Sequence, residues 1–333
     1  MAGPFGAMPI SGIVRYRRDP RESMRGAGVF ALEVLGMKII KAFAALIAVL
    51  SCSPVLSAQD KKAANVDASP PSIALFVHQS VYSGKAAIRE KIESNLARAC
   101  DRLDAPKFWI DLESLSGDPE ALVFSPFDSY EQMEQTNADW TKFLAGHPDI
   151  NRMREEIAGY IGSERKVIAL RRDDLGYLAE NIDFSEARFV HVLEVHLFPG
   201  RESDFAEAFK ILADAYTKIQ ANTPWVVYQV DAGGAAPTFL VVRPMSELKQ
   251  NDDLMAASGN LMDAEGEQGI ETLKRIARES YATTESNLYA VSPEMSHVSK
   301  PFAATDPDYW LHRGPDPRSE VKPDPKPDAN RSK

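Results

Sequence analysis

Three pairs of residues, Gly84 and Gly200, Trp109 and Trp225, and Gly117 and Gly233, stand the same 116 positions apart. A constant spacing kept across several elements marks an internal repeat, and it commits both halves of the chain to one supersecondary unit. Longer segments keep the register. SPFDSYEQ (125–132) matches RPMSELKQ (243–250) at an offset of 118, and ERKVIALRR (164–172) matches ESNLYAVSP (285–293) at 121. Small loop insertions account for the drift.

Each copy carries the same order of elements. In the first, residues 73–82 alternate as a strand that ends at a Ser-Gly turn, and residues 85–103 place apolar side chains at helical spacing. Short strands follow at 108–113 and 121–125. A mostly helical stretch over 129–161 is broken near Gly146-His147-Pro148, because proline removes a helix donor and disfavours helix in the residue before it. A strand at 166–171 closes the unit. The second copy repeats strand 189–198, helix 203–219, strands 225–231 and 238–243, a helix within 266–280 and strand 287–291. The fold class is therefore α+β, with two tandem βαββαβ units. Each unit forms a four-stranded antiparallel sheet with helices on one face only. The bare apolar faces of the two sheets can cover each other, so the duplication predicts a closed barrel within a single chain.

The segments HQSVYSGK (78–85) and EVHLFPGR (194–201), with the aligned strands FWIDLE and WVVYQV, resemble the dimeric α/β-barrel superfamily of ferredoxin-like units, including antibiotic-biosynthesis-monooxygenase and NIPSNAP-like proteins. The resemblance covers residues 72–298. It implies an intramolecular pseudo-dimer acting as a monomer, and it implies no single activity, since relatives include oxygenases, isomerases and haem enzymes. Haem-degrading relatives use an Asn-Trp-His set that the spacing of Asn137, Trp140 and His147 does not reproduce, so no haem or other cofactor is expected.

Composition and the chain ends narrow the class further. With 44% hydrophobic and 26% charged residues, the chain is globular. MKIIKAFAALIAVLSCSPVLSA (37–58) has the lysines, short apolar run and small-residue end of a secretory signal peptide, which predicts a periplasmic or secreted protein with no membrane anchor after cleavage. Residues 1–36 read as a false-start extension or a basic n-region, and Cys52 leaves lipoprotein processing open. Without residues 1–58 the balance is 31 Lys and Arg against 45 Asp and Glu. Such a surface repels phosphate backbones, so nucleic acid is not an expected partner. Residues 59–71 read as a linker, 72–172 and 188–298 as the two repeats, 173–187 as the linker between them, and 299–333 as a Pro-rich disordered tail whose Tyr309, Trp310 and Leu311 could dock on the body. Cys100 falls on the packing stripe of the first helix, as a buried thiol rather than a reactive one.

Strand alternation assigns the candidate site. His78 and Ser80 in the first copy, and Glu194 and His196 in the second, fall on the strand face opposite the aliphatic set that should meet the helices. The same parity groups Trp109, Asp111 and Glu113 on one face, and Trp225 and Gln229 at the matching positions. All are expected to line a cavity between the sheets with Tyr82. His196 or His78 would then act as base with Glu194 orienting it, on a hydrophobic or aromatic small molecule. No HExxH, CxxC, GxSxG or phosphate-cradling glycine motif is present, and no metal site is expected. Two readings stay open. One is a cofactor-free monooxygenase or isomerase with its site between the repeats. The other is a non-catalytic interaction module with a filled barrel core, in which both histidines pair with neighbouring side chains.

Overall fold

A computed structural model describes residues 68–311. The signal peptide, the extension before it, Cys52 and most of the first linker lie outside the described residues. The first repeat runs β1 (Ile73–Val81), α1 (Ala86–Arg102), β2 (Trp109–Ser114), β3 (Glu120–Phe127), α2 (Tyr130–Gly146), α3 (Pro148–Ala158) and β4 (Ile161–Arg171). The second runs β5 (Phe189–Leu197), α4 (Glu202–Lys218), β6 (Val226–Ala232), β7 (Thr238–Met245), α5 (Lys249–Ser280) and β8 (Tyr281–His297). Two short helices, α6 (Lys300–Ala303) and α7 (Pro307–Trp310), follow.

The strands close into one barrel in the order β1-β3-β2-β8-β5-β7-β6-β4. Within each repeat the order is that of a ferredoxin-like sheet. The seams are β2 with β8 and β4 with β6, both antiparallel. This is the architecture of a dimeric α/β barrel completed inside one chain. Every sheet edge finds a partner across a seam, and the exposed edges that a lone four-stranded sheet would leave are removed.

The interior is filled. Phe76, Phe124, Leu240, Tyr228 and Tyr289 meet inside the barrel, with Phe76 5.4 Å from Phe124 and 5.8 Å from Tyr228 between ring centroids. The void remaining among Phe76, Phe124, Val192 and their neighbours is about 20 Å³, room for about one water. Among the described residues the space at the barrel's centre is thus too small for a ligand, whereas strand alternation predicts a cavity there.

Residues 173–187 and 299–311 are structural. The linker carries two 3₁₀ turns, Ala179–Asn181 and Phe184–Glu186, and sends Ile182 and Phe184 into the barrel core beside Phe302 and Trp310. Trp310 is fully buried and donates Nε1–H to the Ser185 carbonyl at 2.9 Å. Tyr309 donates its hydroxyl to the Val291 carbonyl at 2.9 Å, and its ring lies 3.5 Å beneath the Arg188 guanidinium, which pairs with Asp306. The folded part therefore extends through Leu311, past the boundary at 298 set by the strand pattern. Three further boundaries move. β4 begins at Ile161, β8 spans 281–297 rather than 287–291, and α5 begins at Lys249, with its only break at Gly266 (φ 72°). The added helical stretch, NDDLMAASGNLMDAE, has a weak apolar stripe because only Leu261 in it is buried.

The repeated glycines have a common cause. Gly84 and Gly200 turn strand into helix at φ 73° and 80°, and Gly117 and Gly233 turn strand into strand at 80° and 85°, a region that other residues enter at a cost. Gly233 also sits at the β4–β6 seam, where a Cβ would lie 1.8 Å from the Lys166 carbonyl oxygen; Gly84 has nothing within 4 Å. Gly84→Ala should lose about 1–2 kcal/mol from the backbone conformation alone. Gly233→Ala should lose that and about 1–3 kcal/mol more from the clash. Equilibrium denaturant unfolding of the two variants checks the order, and equal losses would remove the seam from the explanation.

Candidate functional site

The strand pair β5 and β7 places His191 opposite Arg243, on the face that meets the helices. Their neighbours on that face are Leu193, Val195, Phe239 and Val241, all buried in the layer beneath α4 and α5. A polar pair in an otherwise aliphatic row marks a site. Here it borders a pocket of about 110 Å³ walled by Leu193, Phe209, Leu212, Trp225, Val241 and Leu261. Glu265 enters from α5, one residue before the non-helical Gly266.

Each of the three polar groups is shaped by its surroundings. Burial, then the adjacent Arg243 charge, pushes the His191 imidazole down to about 4, so it is neutral at pH 7. Its Nε2 shares a 2.8 Å hydrogen bond with the Ser286 hydroxyl. Burial pushes the Glu265 carboxyl up to about 7, and its Oε1 is buried with no hydrogen-bond partner among the described residues. Arg243 keeps its charge and donates Nη2–H to Asn251 Oδ1. The pocket therefore holds a fixed cation, a neutral imidazole and a carboxyl poised near neutrality inside an apolar wall. That set can bind an oxygen-bearing apolar molecule and move a proton to or from it.

The residues singled out by alternation go to three places. His78, Ser80, Glu194 and His196 do face the barrel interior, at the mouth away from the linker. There His78 Nδ1 meets Glu120 Oε1 at 2.5 Å, and Arg165 reaches across to grip Glu194 with two hydrogen bonds of 3.2 and 3.1 Å. The Thr238 hydroxyl gives its one proton to the Ala235 carbonyl at 2.5 Å, so it accepts from His196 Nδ1–H. Glu194 and His196 share a face but have separate partners, and the structure does not join them as an orienting pair.

Trp109, Asp111 and Glu113, and Trp225 and Gln229, share faces as expected, but the face is the helix side and not the space between the sheets. Inside the barrel stand Ile110 and Leu112 instead. Trp109 donates Nε1–H to the Met295 carbonyl at 2.8 Å, and Trp225 donates to the Leu175 carbonyl at 3.0 Å. The two tryptophans border different cavities. Gln229 accepts from Arg172 at 2.6 Å, and Tyr82 is half exposed on the turn after β1.

Asp111 belongs to a buried charge cluster. Arg89, 1% exposed, donates to Asp111 Oδ2 at 2.9 Å, and its Nη2 lies 2.5 Å from Glu93 Oε2, while Glu113 Oε1 is 3.6 Å from Nη1. Two of the three carboxyls, Glu93 and Asp111, are buried against one guanidinium while Glu113 reaches solvent, so one of the buried pair keeps its proton. Burial, then the Asp111 charge, raises Glu93 well above the usual carboxylate range, and Glu93 hydrogen-bonds to Asp111. The equivalent positions of the second repeat, 116 residues on, are Phe205, Phe209 and Val227, the apolar wall of the pocket layer.

No protein-family model matches the chain, and no curated protein matches it significantly. Among solved structures it is similar to an anthrone oxidase-like protein (11% identity, 68% of this chain and 94% of that one, TM-score 0.42). It is also similar to a heme-binding protein from Thermus thermophilus (9% identity, 68% and 96%, TM-score 0.39). A third is a variant chlorite dismutase from Candidatus Nitrospira defluvii (8% identity, 68% and 94%, TM-score 0.39). No residue role passes from them to this chain. Among the described residues no group of three or more His, Cys, Asp or Glu side chains is arranged to hold a metal ion, and no helix is long and apolar enough to cross a membrane.

A proton held in the fold and released on unfolding makes stability depend on pH. Glu93 is raised in the folded state, so its contribution is complete below the ordinary carboxylate range and is lost as pH rises toward its folded value. Glu93→Gln, which keeps a donor for Asp111, should remove a slope of up to about 1.4 kcal/mol per pH unit. Urea unfolding from pH 5 to pH 9 checks this; an unchanged slope would show that Glu93 is not the group holding the proton.

Proposed function

We propose that the chain binds a small apolar, oxygen-bearing molecule in the pocket between the second repeat's sheet and helices, and performs proton-transfer chemistry on it. The observation that carries this reading is Glu265. Its Oε1 is buried with no hydrogen-bond partner among the described residues, which is costly unless a bound molecule supplies a donor. The size fits a single ring, since about 110 Å³ compares with the ~150 Å³ cavity that holds benzene in an engineered protein. Arg243 suits a developing oxyanion, and neutral His191 or Glu265 suits the proton. In this reading an isomerase or cofactor-free oxygenase would draw its acid–base groups, His191 and Glu265, from this layer, and the buried Glu265 Oε1 supports it.

One observation favours a second reading, a non-catalytic interaction module. The barrel core is filled, and His78 and His196 are paired with Glu120 and Thr238. Export to the periplasm or medium stays part of the proposal and rests on residues 37–58 alone.

Phenol and p-cresol should raise the melting temperature of the wild-type protein. Ala208→Trp or, as a milder filler, Ala277→Phe should abolish the rise. Glu265→Gln should also flatten stability between pH 5 and pH 8, because a carboxyl raised to about 7 contributes fully at acid pH and less as pH passes its folded value. Ring binding that survives both filling variants would place the site elsewhere.

A further inference from the structure

A larger cavity lies apart from that pocket. It opens at the barrel mouth where the linker and the C-terminal helices enter, and measures about 310 Å³. Its walls come from the segment Ser69–Ser72, the start of β2, the end of β3, Phe184 of the linker and the Val298–Phe302 turn. It shares no residue with the pocket under α4 and α5.

Six aromatic side chains line it: Phe108, Trp109, Phe124, Phe127, Phe184 and Phe302. Phe124, Phe127, Phe184 and Phe302 are each at most 6% exposed, so these rings are fixed by packing, with Phe124 and Phe184 5.4 Å apart. Phe108, 39% exposed, stands where the cavity meets solvent. The barrel is packed to a 20 Å³ void only a few side chains deeper, and the space at the mouth is what its plugging segments leave open.

One cation borders this aromatic wall. Arg171 ends β4 on the interior-facing parity of Val167 and Ala169. It is held from two sides, Nε donating to Asp173 Oδ1 at 2.6 Å and Nη1 donating to the Pro70 carbonyl. Both bonds fix the guanidinium plane and leave its Nη2 uncommitted to either partner. Asp128, the one carboxylate in the lining, is on the exposed rim.

We propose that this mouth binds a fused-ring aromatic acid, with the rings among the phenylalanines and the acid group on Arg171. A volume about twice that of a cavity that accepts one benzene ring fits two fused rings. Aromatic walls favour planar ligands by offset and edge contacts. A guanidinium anchored on one edge recognises a carboxylate by charge-assisted hydrogen bonds. This site is independent of the pocket assigned above and goes beyond that reading.

The test uses 2-naphthoate as probe and 2-naphthylmethanol as its uncharged counterpart. Calorimetric titration of the wild-type protein should give saturable naphthoate binding, and the ¹H–¹⁵N spectrum should show the Trp109 indole signal shifting while that of Trp225 stays in place. Val298→Trp should weaken naphthoate binding at least tenfold. If that variant does not fold, Phe108→Ala serves in its place, with a loss of threefold or more. Arg171→Gln should weaken naphthoate at least tenfold while changing naphthylmethanol less than threefold, an asymmetry that mere loosening of the 69–72 segment does not produce. Ala208→Trp, which fills the other pocket, should leave naphthoate binding unchanged. No binding to the wild type, a shift of Trp225 instead of Trp109, loss of binding in Ala208→Trp, or equal losses of both probes in Arg171→Gln would each overturn the proposal.

Discussion

The two seams, β2 against β8 and β4 against β6, are the constraint on which the rest of the molecule depends. A four-stranded ferredoxin-like sheet has two open edges and one uncovered apolar face, and backbone groups and apolar surface both need partners. Joining two such sheets edge to edge satisfies the backbone, and the same closure turns both bare faces inward. The glycines at 117 and 233 belong to this arrangement, since each brings its turn close to the opposite repeat, Gly117 at Asn287 and Gly233 at Lys166. Once the barrel is closed and filled, space for ligands remains only outside it, under the helices, or at a mouth.

The duplication, the element order and the closed barrel were legible in the sequence because they rest on repeated glycines, tryptophans and alternation. The inward direction of His78, Glu194 and His196 was legible as well, since Val77, Val195 and Leu197 mark the opposite face as aliphatic. In β2 the same reasoning failed. Trp109-Ile110-Asp111-Leu112 alternates cleanly, but both faces of the strand are buried, and alternation tells which residues share a face without telling which face turns inward. The charged residues went to the helix side because Arg89 waits there for Asp111.

The pocket residues were harder to see. Glu265 lies in a helix whose stripe is weak and whose kink at Gly266 hides its direction. Arg243 reads as the polar end of a strand. The available signal was the cross-strand pairing of His191 with Arg243 among aliphatic neighbours, which appears only after the β5–β7 register is known. The docking of Tyr309 and Trp310 was legible as the apolar cluster of a proline-rich tail, whereas the part played by Ile182 and Phe184 was hidden, because residues 173–187 read as a linker.

The contrast between Arg89, Glu93 and Asp111 in one repeat and Phe205, Phe209 and Val227 in the other has a consequence in terms of symmetry. In a two-chain barrel every substitution appears twice, so a charged layer on one side imposes the same layer on the other. Fusion lifts that rule. Each half became free to change against an unchanged partner, and the halves are no longer exchangeable: two copies of the first would bury two ionic layers, and two copies of the second would keep two pockets. Covalent linkage gives the molecule a distinct left and right, one side holding a buried charge cluster and the other a pocket beneath its helices.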